Sequence, residues 1–170
     1  VGEITARSLI RMATQQGAAV AATIARRLAA APKTAPVKGL HDVVIVGAGP
    51  GGLACALGCR ERGLDFVLLD RETTIGGTVA KYPRRKLVLT EPIELPLHGR
   101  VPQREFEKEE LIALWQQLAT THRLTFRGGV TFDRAERQAD GTFVVHTDRG
   151  VTRAKHVVLA VGRRGMPKRL

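Results

Sequence analysis

Cysteines, aromatic residues and long apolar runs are all scarce in this chain. Only Cys55 and Cys59 occur among its 170 residues. No disulfide framework can be built from them, and a reducing, cytoplasmic compartment is expected. One helical turn apart, they have poor geometry for a disulfide and read as two small apolar side chains packing a helix. The five histidines are scattered with no pair at metal-ligand spacing, so no metal site is expected. Aromatics make up 4% of the chain, and neither an aromatic-rich RNA motif nor a recognition-helix pattern accompanies the net charge of +11. Nucleic acid is therefore not an expected partner. No run is long and apolar enough to cross a bilayer: the Ala- and Arg-rich stretch 4–31 is interrupted by Gln15, Gln16 and Gly17.

What is present is ordinary for a globular domain: 44% hydrophobic and 25% charged residues, with 18 glycines. Residues 1–38 read as a helix followed by a Pro-containing linker, and residues 39–170 as one nucleotide-binding domain. The helix is read as a connector; lying on a membrane surface, packing on a further domain, an Arg-rich targeting segment or docking on a partner subunit are the alternatives. Val1 in place of a start methionine, and an unfinished look to the last residues, suggest a piece of a longer protein.

The informative segment is Val43-Val44-Ile45-Val46 running into Gly47-Ala48-Gly49-Pro50-Gly51-Gly52. An apolar strand, G-x-G-x-x-G and a helix from about Gly51 to Arg62 form the dinucleotide-binding fingerprint. Gly47 permits the sharp turn, Gly49 lets backbone approach a pyrophosphate, and Gly52 lets the helix pack on the strand. Pro50 lies within the bend as a cofactor-binding candidate, and the helix start offers free N–H groups and a positive dipole end to phosphate. About two dozen residues after Gly47, Asp70 ends a second apolar run, Phe66–Leu69. A carboxylate there accepts hydrogen bonds from ribose hydroxyls and repels a 2′-phosphate, an argument that neighbouring Arg71 weakens.

Further on, Thr73–Thr78 forms a second glycine loop, and residues 79–104 read as irregular, with Pro83, Pro92, Pro96 and Pro102. A helix is expected from about Arg104 to Thr121, with Leu111, Leu114, Trp115 and Leu118 on its apolar stripe. After a short strand near 124–127, three strands near 130–137, 142–147 and 150–155 form an antiparallel meander. A separate apolar strand, Val157–Gly162, follows. The fold class is thus α/β: a Rossmann-like parallel sheet plus an antiparallel β-meander, preceded by a helix.

This order of parts, with IGGTVAKYPRRKLV and the ending VVLAVGRRGMP, resembles the FAD-binding half of two-dinucleotide-binding-domain flavoproteins. It looks most like thioredoxin-reductase-like pyridine nucleotide (disulfide) oxidoreductases, stopping before their NAD(P)H domain. The resemblance covers about residues 41–170. It implies FAD on the Gly47–Gly52 bend, Asp70 on the adenosine ribose, and Gly76, Gly77 and Thr78 beside the ribityl and flavin end. It further implies that Val130 contacts adenine and that Ala160 and Gly162 close over the nucleotide. No redox cysteine pair follows the second glycine loop.

The resemblance implies an oxidoreductase in which NAD(P)H gives a hydride to FAD, which passes electrons to an unidentified acceptor. The 170 residues alone are expected to hold FAD weakly or not at all and to be inactive. No side chain stands out as an acid, base or nucleophile. Tyr82, His98 and Arg84-Arg85-Lys86 could touch flavin, NAD(P)H or substrate, but read more simply as surface residues. A homodimer is among the expected assemblies. A flavin monooxygenase and a non-catalytic nucleotide-binding electron-transfer subunit are the alternatives. A plain NAD dehydrogenase fits less well, because the meander breaks the expected alternation of helices and strands.

Overall fold

Val43, Val44, Ile45 and Val46 are all buried because their strand is covered on both faces. The computed structural model describes residues 10–32, 37–89 and 91–162. Helix α1 (Ile10–Ala30) leads to strand β1 (Leu40–Val46), helix α2 (Pro50–Glu61), strand β2 (Phe66–Asp70) and the short helix α3 (Gly77–Ala80). Four short strands follow: β3 (Leu87–Leu89), β4 (Ile93–Leu95), β5 (Gly99–Val101) and β6 (Glu105–Glu107). Helix α4 (Lys108–Thr121), β7 (Phe126–Gly128), β8 (Phe132–Arg137), β9 (Phe143–Thr147) and β10 (Gly150–Leu159) complete the order.

The main sheet runs β7-β2-β1-β10-β9-β8. Its first four strands are parallel, and β10-β9-β8 form the antiparallel meander. Alternate residues of a strand face opposite sides, and the core divides accordingly. Val43, Ile45, Phe66 and Leu68 join Leu53, Leu57 and Trp115 on the helix side. Val44, Val46, Val67 and Leu69 join Val145 and Ala154 on the other. This is the α/β class expected, with its parallel sheet, meander and preceding helix.

Four expectations need correction. First, the last meander strand and the final apolar strand are one. β10 pairs antiparallel with β9 over Gly150–Ala154 and parallel with β1 as far as Leu159. The polar residues that suggested a break are accommodated, since Lys155 Nζ reaches Asp42 Oδ1 at 2.8 Å. Second, residues 79–104 are not irregular throughout. β3 pairs with β6 and β4 with β5, and all four prolines fall between the strands, where a missing N–H costs nothing. Val88, Ile93, Leu95, Val101 and Phe106 anchor this stretch in the core. Third, Glu105–Glu107 is a strand, so the helix begins only at Lys108. Glu107 caps it, in a reciprocal capping box with Glu110.

Fourth, helix α1, expected to be a connector, is part of the core. Its Ala13, Thr14, Gly17, Ala21 and Ile24 are buried, and Ala21 and Ile24 belong to the same core as β1 and α2. Residues 4–9 and 33–36, parts of the expected helix and linker, lie outside the described residues. No helix among the described residues is long and apolar enough to cross a membrane.

Candidate functional site

The bend between β1 and α2 is built from backbone. Gly47 has φ +105°, a conformation disfavoured for side-chain-bearing residues. Its N–H donates to Leu69 O at 2.7 Å, and a Cβ on it would stand 2.4 Å from Ala160 O. Gly52 is equally confined, since its Cβ would fall 1.8 Å from Gly47 O. Ala160 N–H donates to Val46 O at 2.7 Å, so the end of β10 closes one side of the bend. Gly162 follows with φ +65°.

Gly49 differs. It caps α2 with φ −76°, and the nearest atom to an added Cβ would be Gly77 Cα at 3.9 Å. The packing of the chain therefore does not require a glycine there. Pro50 takes the first helical position, and Leu53 N–H is bonded to Gly49 O at 2.9 Å. Ahead of Leu53 stand Gly51 and Gly52, whose N–H groups belong to the donors every helix start leaves unpaired.

Asp70, the last residue of β2, faces the bend. Its Oδ2 accepts the Ala48 N–H at 2.5 Å and its Oδ1 accepts the Glu72 N–H at 2.9 Å. The Asp70 carbonyl accepts the Val130 N–H at 2.9 Å, which brings Val130 to the same strand ends. Arg71 is exposed and pairs with Glu72 at 3.3 Å. Lys81 holds Glu72 more tightly, Nζ to Oε1 2.7 Å, and that hydrogen bond is the largest cause holding the Glu72 carboxyl below its usual range.

The second glycine loop reaches the bend from below. Gly76 N–H donates to Ala48 O at 3.0 Å, and a Cβ on Gly77 would meet Gly49 Cα at 2.9 Å. Thr78 continues into α3, half-buried. The structure thus gathers Gly47, Gly49, Pro50, Gly51, Gly52, Asp70, Gly76, Gly77, Val130 and Ala160 about one place. Gly162 and Thr78 stand at its margins, and Arg71 follows Asp70 as an exposed residue paired with Glu72.

Tyr82 packs against the core on the α3–α4 side, with Lys86 Nζ 4.5 Å from its ring centre. His98 lies in the β4–β5 turn. Nearby Pro96 sits 3.7 Å from where a Cβ on Gly58 would be, at the far end of α2, so His98 is remote from the bend. Sequence reasoning missed two contributors. Ala48 supplies backbone donor and acceptor to Asp70 and Gly76. Gly128 lets β7 pass the loop after Asp70, since a Cβ there would stand 2.8 Å from both Glu72 O and Thr73 O; the Gly128-Gly129 pair was its only signal. A groove of 760 Å³ lies elsewhere, between α1 and β10, walled by Val20, Ile24, Arg27, Phe143 and His156. Among the described residues no cluster of His, Cys, Asp or Glu suits a metal ion.

Comparison with known proteins covers this same ground. Residues 44–170 match the family described as pyridine nucleotide-disulphide oxidoreductase. Ferredoxin–NADP reductase 3 of Lysinibacillus sphaericus is 34% identical over 124 residues, covering 72% of this chain and 32% of that protein. Bacillithiol disulfide reductase from Bacillus cereus shares the fold, with a TM-score of 0.66 at 20% identity over 76% of this chain and 42% of that one. A cyclohexanone monooxygenase mutant from Rhodococcus sp. Phi1, bound to NADP+, superposes with a TM-score of 0.58 at 28% identity, over 72% of this chain and 26% of its own. The chain therefore spans less than half the length of each of these proteins. The family match runs from the middle of β1 through the bend, Asp70 and the meander, and the chain belongs to the pyridine nucleotide-disulphide oxidoreductase family.

Proposed function

We propose that the bend binds the diphosphate of FAD, and that the protein moves electrons from NAD(P)H through the flavin to an acceptor. The observation that carries this reading is Gly49. Gly47 and Gly52 are explained by backbone packed against them, whereas nothing among the described residues approaches a Cβ on Gly49 closer than 3.9 Å. A missing side chain that the protein does not fill itself suits a diphosphate lying against the backbone. The donors fit as well: the N–H groups of Gly51 and Gly52 at the start of α2 favour an anion.

Bound FAD would supply the hydride-accepting and electron-passing chemistry. The chain's own residues hold and orient it. Asp70 has two oxygens, each engaged by one backbone N–H, and each keeps a lone pair for a ribose hydroxyl. Val130 commits its N–H to Asp70 O, so its carbonyl is the atom offered to adenine. Gly76, Gly77 and Thr78 lead toward the flavin end, and Ala160 and Gly162 border the nucleotide on the side of β10. Arg71 pairs with Glu72 and is left as a rim residue.

The relatives named ferredoxin–NADP reductase favour a protein electron carrier as acceptor. The likeness to cyclohexanone monooxygenase favours a second reading, a flavin monooxygenase. The test is an absorbance spectrum of the protein as the cell makes it, followed by anaerobic titration with NADH and NADPH. A yellow protein bleached by either is expected. A colourless protein that binds only NAD would overturn the FAD reading, and NADPH oxidation coupled to oxygen insertion into a substrate would favour the monooxygenase.

A further inference from the structure

Helix α2 has no face for water. Nine consecutive residues, Gly51 to Cys59, are buried, and none of them has a polar side chain to turn outward beyond the two thiols. Such a helix needs cover on the side away from its sheet. α1 provides it, and α1 precedes the segment that matches the family. The two helices touch through small residues at both ends of α2. A Cβ on Gly58 would stand 2.8 Å from Ala21 Cβ, and a Cβ on Gly17 would stand 2.1 Å from Gly51 O and 3.0 Å from Cys55 N. Those last two atoms are partners in the first turn of the helical ladder. A side chain on Gly17 would wedge into that turn. α1 is also tied to the core-anchored stretch beyond, with Arg11 Nε 2.9 Å from Glu91 Oε2.

The Gly51 carbonyl and the Gly52 N–H belong to one rigid peptide plane. Whatever presses on Gly51 O therefore tilts the Gly52 N–H, one of the donors at the candidate diphosphate site. We propose that Gly17 is a positioning residue for the nucleotide: its missing side chain lets α1 seat against the first turn of α2 and hold the Gly51–Gly52 peptide in its anion-binding pose. α1 is then a working part of the nucleotide-binding unit. The inference rests on the FAD reading above.

ADP and adenosine separate the diphosphate from the rest of the ligand. In the protein as the cell makes it, stripped of flavin, Gly17→Ala is expected to weaken ADP at least about tenfold while adenosine changes by less than about twofold. Gln15→Leu, which adds bulk on the exposed side of α1, should change neither. A merely structural role would lower the melting temperature and leave the ADP-to-adenosine ratio as it was; that result in a folded Gly17→Ala protein overturns the inference alone. Should Gly17→Ala not fold, Ala21→Gly loosens α1 without a clash. It should speed hydrogen exchange at Cys55, whose N–H faces Gly51 O, and weaken ADP, and unchanged ADP binding with faster exchange overturns the inference. A wild-type protein that takes up neither FAD nor ADP overturns the FAD reading and this inference together.

Discussion

Glycines of one motif have different reasons to be glycine, and substitution separates Gly52 from Gly49. Gly52→Ala puts a methyl 1.8 Å from Gly47 O, so α2 must lift from the strand, at a cost of about 3 kcal/mol or more; loss of the folded protein is the expected result. Gly49→Ala meets nothing closer than 3.9 Å among the described residues and keeps an ordinary φ. It should cost less than about 1 kcal/mol of stability as an N-cap change, yet weaken FAD at least about tenfold by standing where the diphosphate lies. Thermal melting with and without FAD reads both. Asp70→Asn should lose on both counts, because the amide turns an N–H toward one of the two backbone donors now bonded to the carboxylate. An unpaired buried donor costs about 1–3 kcal/mol.

The motif's residues were legible because each is defined by its neighbours in the chain. Ala48 was not, since only its backbone works, and an alanine gives no sign of that. His156 was not legible either. Burial is the largest cause holding its imidazole below the usual value of 6.5, with Arg27 and Lys155 adding positive charge and Asp42 opposing. The unfolded chain takes up a proton near that pH and the folded one does not. Stability from this group is therefore complete above about 6.5 and is lost as the pH falls toward the lower, folded value. The melting temperature should decline below pH 6.5, and His156→Gln should flatten that decline.

At the scale of elements, β1, α2, β2, the body of α4 and the meander were readable from period and punctuation. The strands of 79–104 were not. Each is three residues long, less than two full periods of a strand, and Ile93-Glu94-Leu95 carries its alternation in too few residues to be told from loop. β10 was divided in two because its polar middle resembles a strand end, and its Lys155–Asp42 contact spans residues far apart in sequence. The apolar face of α1 was visible but its partner was not: Gly17 read as an interruption and is the point of closest contact with α2. The start of α4 was misplaced by four residues because its acids could equally begin a helix or cap one. Glu107 and Glu110 in fact exchange hydrogen bonds, with Glu107 N 2.9 Å from Glu110 Oε2. Glu110→Ala removes half of that exchange and should lower stability by about 1 kcal/mol in a denaturant titration, whereas Glu105→Ala, outside the box, should not.

At the scale of the whole molecule, charge is the property that no single site explains. The chain carries 27 basic and 16 acidic residues. Many of the acids are already engaged: Glu72 with Lys81, Asp42 with Lys155, Glu136 with Arg134, Glu91 with Arg11. Each such pair neutralises itself locally and leaves the excess of cations to set the outer field. A field of that sign draws anionic partners from a distance and acts on their rate of encounter more than on the strength of the finished complex. If the acceptor is a protein carrier of opposite charge, its reaction should depend on salt through the screening length, which shrinks from about 20 Å at 20 mM to about 8 Å near physiological strength. The expected result is a fall of roughly tenfold in kcat/KM for an acidic carrier protein over that range, with kcat nearly constant, while a neutral quinone acceptor used as control shows no such slope. Equal salt dependence for both acceptors would mean that the acceptor meets a surface whose charge plays no part in finding it.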